Sequence, residues 1–300
     1  MAERILLTGA NGFLGQFFYK VLSVDYEITT LGRKDADIIA DFALNQPVIE
    51  YCPDLVIHAA GKAHSIPKNQ AEKQSFFDVN AIGTQNLLKG LEKATTLPQY
   101  FIFISSVSVY GIETGNLITE DAPLLAEDAY GRSKIEAEKI VKEWCAKNNV
   151  VCTIFRLPLL AGPNPPGNLG TMIKGIQKGY YFNISSGKAK KSVVLAEDIA
   201  KITPVVSKIG GTYNLTDRHH PSFHELSHHI AKQLHKSKRL SIPLFPAKLM
   251  AMAGDFMGDK APINSRKLNK IISDLTFDDS KAVKAFGWNP TSVLEGFQIK

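Results

Sequence analysis

The chain has 300 residues, 44% of them hydrophobic and 21% charged, with 35 Lys and Arg against 29 Asp and Glu for a formal charge of +6. That length allows one large domain or two smaller ones around a sizeable core, and the lack of any apolar run near about 20 residues excludes a membrane-spanning helix. The surplus positive charge suits nucleic acid, an anionic membrane surface or a phosphorylated small molecule, and by itself does not choose among them.

Met1-Ala2-Glu3-Arg4 leads straight into a strand pattern rather than a secretion signal, so a cytoplasmic protein without stable membrane insertion is expected. Cys52, Cys145 and Cys152 are spaced for neither a zinc ribbon nor a redox pair and read as reduced core thiols. Apolar runs at residues 4–8, 27–31, 37–40, 55–58, 100–105 and 150–156 alternate with helical stretches. Continuous apolar runs rather than polar/apolar alternation suit strands covered by helices on both faces, so an α/β, doubly wound parallel sheet is predicted. Beyond Pro158 the pattern loosens into loops rich in Gly and Pro, where a second, smaller substrate-binding lobe is expected. Strand candidates at 192–195 and 212–215 interrupt that lobe. Residues 1–157 with about 192–218 are therefore assigned to the nucleotide-binding domain, and 158–191 with 219–300 to the smaller lobe, interleaved in sequence. Residues 242–254 are apolar enough to touch a membrane surface or a partner, but read more readily as a core or lid helix.

The first strand runs through Gly9-Ala10-Asn11-Gly12-Phe13-Leu14-Gly15 into an apolar helix. Gly9 permits the tight turn, Gly12 lets backbone amides approach a pyrophosphate, and Gly15 lets helix pack closely on strand. This spacing resembles the extended short-chain dehydrogenase/reductase superfamily, with its Rossmann fold and nicotinamide cofactor. The resemblance implies that Asn11, Gly12, Phe13, Leu14 and Gly15 surround the cofactor phosphates. Asp41 and Phe42 then resemble the adenine contacts, Ala59-Ala60-Gly61 the small-residue turn against which the cofactor lies, and Asn80 the asparagine that steadies the active-site helix. Where a NAD-preferring relative ends its second strand in an acidic residue, this chain has Arg33; a guanidinium suits a 2′-phosphate, so NADP is favoured over NAD.

Tyr130 and Lys134 are four residues apart and share a face if helical. A free phenol titrates near about 10, and a neighbouring ammonium with the oxidised nicotinamide is expected to lower that value for acid/base work. Upstream, a buried strand ends in Ser105-Ser106-Val107-Ser108, at the sheet edge where α/β ligands bind. Glycine loop, Ser106, Tyr130 and Lys134 in this order resemble the superfamily's catalytic set, with Ser105 near the cofactor and Leu157 and Pro158 matching the loop that meets the nicotinamide.

The resemblance spans nearly the whole chain and is closest to nucleotide-sugar epimerases, dehydratases and reductases, which implies a nucleotide-sugar substrate, no nucleic-acid partner and a homodimer. Ser106 and Ser108 are the expected substrate contacts at the reacting centre; Asn168 and Leu169 match a pair that touches the sugar nucleotide. Lys191 falls where relatives place a diphosphate-binding arginine, and Asp198 resembles a helix-capping aspartate. Val107 and Ser108 stand where dehydratases carry acid and base, which disfavours dehydration. The resulting expectation is oxidoreduction at sugar C4 for surface polysaccharide synthesis, with a 4-keto-6-deoxy-sugar reductase slightly ahead of a 4-epimerase. Two rivals are a cofactor-binding regulator without chemistry and, from His224-Glu225-Leu226-Ser227-His228, a zinc hydrolase lacking a convincing third ligand; no metal is expected.

Overall fold

The computed structural model describes residues 3–63, 65, 67–236, 241–258, 261 and 263–299. Its elements run β1 (Arg4–Thr8), α1 (Phe13–Leu22), β2 (Glu27–Gly32), β3 (Ile38–Ile39), β4 (Leu55–His58), α2 (Gln70–Phe77), a π-helical turn (Asp78–Ile82), α3 (Gly83–Leu91) and β5 (Tyr100–Ser106). A 3-10 turn (Val107–Tyr110), β6 (Gly115–Ile118), α4 (Ala129–Asn148), β7 (Val151–Leu157), β8 (Leu159–Ala161), α5 (Gly167–Lys178) and β9 (Asn183–Ile184) follow. The chain continues through β10 (Val193–Leu195), α6 (Ala196–Ser207), β11 (Gly211–Asn214), α7 (Phe223–Gln233), β12 (Ser241–Ile242), α8 (Leu244–Asp255), α9 (Ser265–Ile272), β13 (Leu275–Phe277), α10 (Ser280–Phe286) and α11 (Val293–Gly296).

Seven strands form one parallel sheet in the order β11-β7-β5-β4-β1-β2-β3. Alternate side chains serve opposite faces: Ile5, Leu7, Leu55, Ile57 and Ile102 join the core beneath α1 and α6, while Leu6, Val56, Phe101 and Phe103 join the core beneath α3 and α4. Burial on both faces explains why the strands read as unbroken apolar runs. The strand order reverses between β1 and β4, and there the carboxyl ends of a doubly wound sheet open a crevice.

The 192–195 segment is a strand, but β10 pairs with β8 in a separate two-stranded sheet and does not extend the central one. Only β11 does so, beside β7. Another core gathers Leu169, Met172, Ile173 and Ile176 of α5 with Leu226 and Ile230 of α7 and Val293 of α11. The pairing of β6 with β13 joins segments about 160 residues apart in sequence and has no local signature.

Two glycines in the loop after β1 are required by contact. Gly9 has φ +75°, and a Cβ there would lie 2.6 Å from the Ala60 nitrogen; at Gly15 a Cβ would lie 2.0 Å from the Gly9 oxygen. Gly15→Ala is therefore expected to cost about 1–3 kcal/mol and to weaken cofactor binding together with stability. Thermal unfolding with and without NADP checks this, and an unchanged melting temperature would contradict the close approach.

Candidate active site

The predicted cofactor segments at 9–15, 33, 41–42, 59–61, 105 and 157–158 lie at or just beyond the carboxyl ends of β1, β2, β3, β4, β5 and β7, whereas Asn80 comes from the π-helical turn and Tyr130 and Lys134 from α4. Gly12 is the N-cap of α1, with no side chain capping the helix, so its leading amides and positive end face the crevice. Asn11 does not reach into open space: its Nδ2 donates to the carbonyl oxygens of Lys34 and Asp35, each at 3.1 Å, and so ties the glycine loop to the β2–β3 loop. On that loop Arg33 is exposed. Asp41 accepts from its own backbone at Ala43 (3.1 Å), and Phe42 is buried against the His58 ring.

Ala59 and Ala60 cross directly under Gly9, with the Ala60 amide donating to Thr8 Oγ1 at 3.2 Å. His58, just before them, is fully buried between Thr8 Oγ1 (2.7 Å) and Thr84 Oγ1 (2.9 Å). Burial, reinforced by the nearby Lys134 ammonium, pushes its pKa down to about 3, so this ring is a neutral strut between β1, β4 and α3. Asn80 lies in the π-helical turn, a distortion that recurs at functional sites. Its amide donates to Ser133 Oγ (2.9 Å) and the Lys62 carbonyl (3.0 Å) and accepts from the Lys62 amide (2.7 Å). Asn80 thereby braces α4 beside Lys134.

Helix α4 starts at Asp128, whose carboxylate accepts from the amides of Tyr130 (3.1 Å) and Gly131 (3.0 Å). This N-cap fixes the first turn and with it the phenol. Tyr130 rests against the Phe76 ring and bonds the Ser106 side chain; burial pushes its pKa up, the Ser106 bond opposes that, and Asp128 adds to the rise. The chain alone thus does not lower this phenol, contrary to the expectation that Lys134 would. Ser106 caps the 3-10 turn and donates to Ser108 Oγ at 3.2 Å, so the two hydroxyls of β5's end stand together beside Tyr130.

Lys134 is 5% exposed. Its Nζ sits 4.3 Å from the centre of the Phe103 ring, and a Cβ on Gly61 would lie 3.6 Å from it. Among the described residues no acceptor bonds this ammonium. Burial pushes its pKa down to about 8, with Glu138 pulling the other way. An almost buried cation with unused donors, facing a glycine that leaves room for a ligand, fits a cofactor ribose held by its hydroxyls. Below about pH 8 the ammonium is charged and costs stability; between about 8 and 10.5 only the unfolded chain holds the proton, so stability rises with pH. The gap corresponds to on the order of 3 kcal/mol. Lys134→Met is accordingly expected to raise the melting temperature at pH 7 and flatten its rise between pH 8 and 10.5 while losing turnover; a lower melting temperature would contradict the reading.

Several predicted contacts are engaged elsewhere. Ser105 Oγ donates to Glu138 Oε1 at 2.6 Å, away from the crevice. Leu157 is buried at the end of β7 and Pro158 half-buried beyond it. Asn168 is exposed on the first turn of α5, but Leu169 turns its side chain into the core shared with α7 and α11. Lys191 is 9% exposed and donates to the carbonyls of Lys270 (2.9 Å) and Ser273 (3.0 Å) at the end of α9, where helix carbonyls attract a cation. Its neighbours Lys188 and Lys190 point outward and line, with Ser186, Ser222, His224 and Glu225, an open cleft of about 390 Å³. Asp198 does not cap its own helix but accepts from the Thr291 amide at 2.8 Å. Glu225 completes a capping box with Ser222, and among the described residues no group of three His, Cys, Asp or Glu side chains is placed to hold a metal.

Sequence reasoning missed Glu138. It lies one turn beyond Lys134 on the same helix face, and its carboxylate binds Arg156 at 3.0 Å (Nε–Oε1) and 2.7 Å (Nη2–Oε2). Arg156 Nη1 donates to Tyr110 Oη (3.2 Å), which donates to Asn214 Oδ1 (2.8 Å). The Tyr-x-x-x-Lys-x-x-x-Glu spacing was the available signal.

A parallel sheet with a glycine turn at its reversal point, and a serine, tyrosine and lysine at the same edge, is the arrangement of a dinucleotide-binding α/β enzyme. Residues 5–215 match the NAD-dependent epimerase/dehydratase family, and the chain belongs to that family: it is an enzyme of the short-chain dehydrogenase/reductase type that uses a nicotinamide dinucleotide. It is 26% identical to the N-acetyl-α-D-glucosaminyl-diphospho-ditrans,octacis-undecaprenol 4-epimerase of Escherichia coli O157:H7, covering 99% of this chain and 93% of that one. It is 29% identical to the UDP-glucose 4-epimerase of Vibrio cholerae over 99% of this chain and 94% of the relative. RMD from Pseudomonas aeruginosa, solved with NADPH, superposes with a TM-score of 0.73 at 18% identity over 97% of this chain and 95% of that one.

Proposed function

We propose that the enzyme is a 4-epimerase of diphosphate-linked hexoses or N-acetylhexosamines, supplying sugars for surface polysaccharide. The observation that carries this is the buried, unbonded Lys134 ammonium on the same helix face as Tyr130, which itself meets Ser106 at the sheet's edge; similarity to 4-epimerases along the whole chain supports the choice of reaction. In this reading Gly9, Gly12, Gly15, Ala59, Ala60, Gly61 and the backbone after Leu157 hold the cofactor, and Lys134 binds its ribose hydroxyls. The nicotinamide, when bound, would supply a reversible hydride acceptor for C4, and inversion requires that the hydride return to the opposite face of the 4-keto sugar. Tyr130 accepts the proton of the C4 hydroxyl and later returns it, while Ser106 hydrogen-bonds the same oxygen and keeps it in line with the phenol. Ser108 steadies Ser106. In this reading the smaller lobe covers the sugar and takes β10 with β8, although the sequence pattern assigns 192–195 to the nucleotide-binding domain.

A 4-keto-sugar reductase using NADPH is the second reading. Arg33 favours it: exposed beside the glycine loop and without a bonded partner among the described residues, it is available to a 2′-phosphate. Incubating the protein with UDP-N-acetylglucosamine or UDP-glucose, and separately with a UDP-4-keto-6-deoxy-hexosamine and NADPH or NADH, distinguishes them. Conversion of the ordinary hexoses to their C4 epimers without net cofactor consumption is the expected result. Stoichiometric oxidation with only the keto-sugar would replace it by the reductase, and inertness toward both would overturn both.

A further inference from the structure

Helix α8 turns small residues inward and large ones outward. Ala247 and Ala251 pack with Leu268, Ile184, Ile242, Ile263 and Ile272, and a Cβ on Gly254 would lie 1.9 Å from the Ile263 oxygen, so the helix sits close on its neighbours through its smallest side chains. Phe245, Leu249, Met252 and Phe256 recur at helical spacing on the outside, with Phe245 72%, Met252 60% and Phe256 95% exposed. Scattered exposed apolar residues are ordinary; four aligned along one short helix, flanked by exposed Met250 and Met257, are not.

Charge identifies the occupant. Residues 226–256 contain Lys232, Lys236, Lys238, Arg239 and Lys248 against one acid, Asp255, whose carboxylate accepts from the Ser265 amide and hydroxyl at 2.8 and 2.6 Å, and Lys232, Lys236 and Lys248 are exposed. A second copy meeting this face across a two-fold axis would bring like charges together, whereas anionic headgroups complement them. Twelve residues give a helix of about 18 Å, too short to cross a bilayer of about 30 Å but suited to lie within its surface. We propose that α8 docks the enzyme on the surface of an anionic lipid bilayer. The helix is not loosely attached to the site: Arg266 and Lys270 of neighbouring α9 pair with Glu113 at 2.5 and 2.8 Å, on the segment that follows Ser106. Resting on the reading above, docking brings the site to sugars carried on a lipid diphosphate; the docking itself is tested without substrate.

The full chain is floated with vesicles of phosphatidylcholine alone or of phosphatidylcholine mixed with phosphatidylglycerol. Flotation with the mixed vesicles, much reduced with the neutral ones and by added salt, is expected. The triple variant Phe245→Ser, Met252→Ser, Phe256→Ser should lose about tenfold or more in binding while keeping its melting temperature and its turnover of a soluble UDP-sugar. Lys232→Gln with Lys248→Gln should weaken binding to the mixed vesicles alone. Failure of the parent chain to float with anionic vesicles would overturn the proposal, as would a triple variant that floats as well as the parent. Sedimentation showing a parent dimer that the triple variant breaks, with no vesicle binding, would assign the face to self-association instead.

Discussion

Tyr130→Phe is expected to reduce turnover by about 10²–10⁴-fold while leaving cofactor affinity and melting temperature nearly unchanged. The ring keeps its contact with Phe76 and the backbone keeps its Asp128 cap; only the hydroxyl that bonds Ser106 is removed. Because burial raises the phenol's pKa, Tyr130 is protonated at neutral pH in the chain by itself, ready to donate to a carbonyl oxygen. Lowering that pKa for the reverse direction would then fall to the cofactor's positive ring, since the Lys134 ammonium, though charged below about pH 8, lies against Gly61 and Phe103 and is not among the groups that shift the phenol. Steady-state kinetics with cofactor titration checks this. A variant retaining most of its turnover would contradict the assigned role, and one that lost cofactor affinity in proportion would make Tyr130 a binding residue instead.

Arg156→Leu is expected to destabilise the enzyme by about 3–5 kcal/mol. The pair Glu138–Arg156 is buried, with side chains 2% and 4% exposed. Burial alone would push the guanidinium's pKa down, but the bonds from Glu138 and then Tyr110 raise it overall. Removing Arg156 leaves the Glu138 carboxylate with Ser105 Oγ and with Lys142, which is 3.7 Å away and half-exposed. Tyr110 and the carbonyl of Glu120 also lose a donor. The double variant Glu138→Leu, Arg156→Leu should be less destabilised than Arg156→Leu, because no charge is then stranded. Denaturant unfolding of the three proteins measures this. A double variant as unstable as the sum of the singles would show that the pair acts through packing and not through charge.

Much of the nucleotide-binding half was legible in the sequence because its strands are buried on both faces. Residues 4–8 and 55–58 are strands at those bounds, and the glycine turn between β1 and α1 requires small residues for reasons of contact that hold wherever the motif occurs. Tyr130 and Lys134 were legible from helical spacing alone. Lys191 was not: along 188–191 exposed and buried positions alternate, and composition reveals the run of charge but not which member of it faces inward. The strand character of 192–195 was visible, whereas its partner β8 was not, since three-residue pairings depend on tertiary contact. Glu138 was passed over because its spacing from Tyr130 and Lys134 places it on their helix face without naming a partner, and Arg156 comes to it from β7 only through the tertiary fold. Residues 242–254 were helix-like and apolar, and only the packing reveals that Ala247 and Ala251 face in and Phe245 and Met252 out.

The most direct test follows deuterium placed on C4 of UDP-N-acetylglucosamine. An enzyme that removes and returns that hydrogen within a closed site yields the C4 epimer with the label kept at C4, at equilibrium and in water. Epimer formed with the label lost to solvent would contradict hydride chemistry at the Ser106–Tyr130–Lys134 edge.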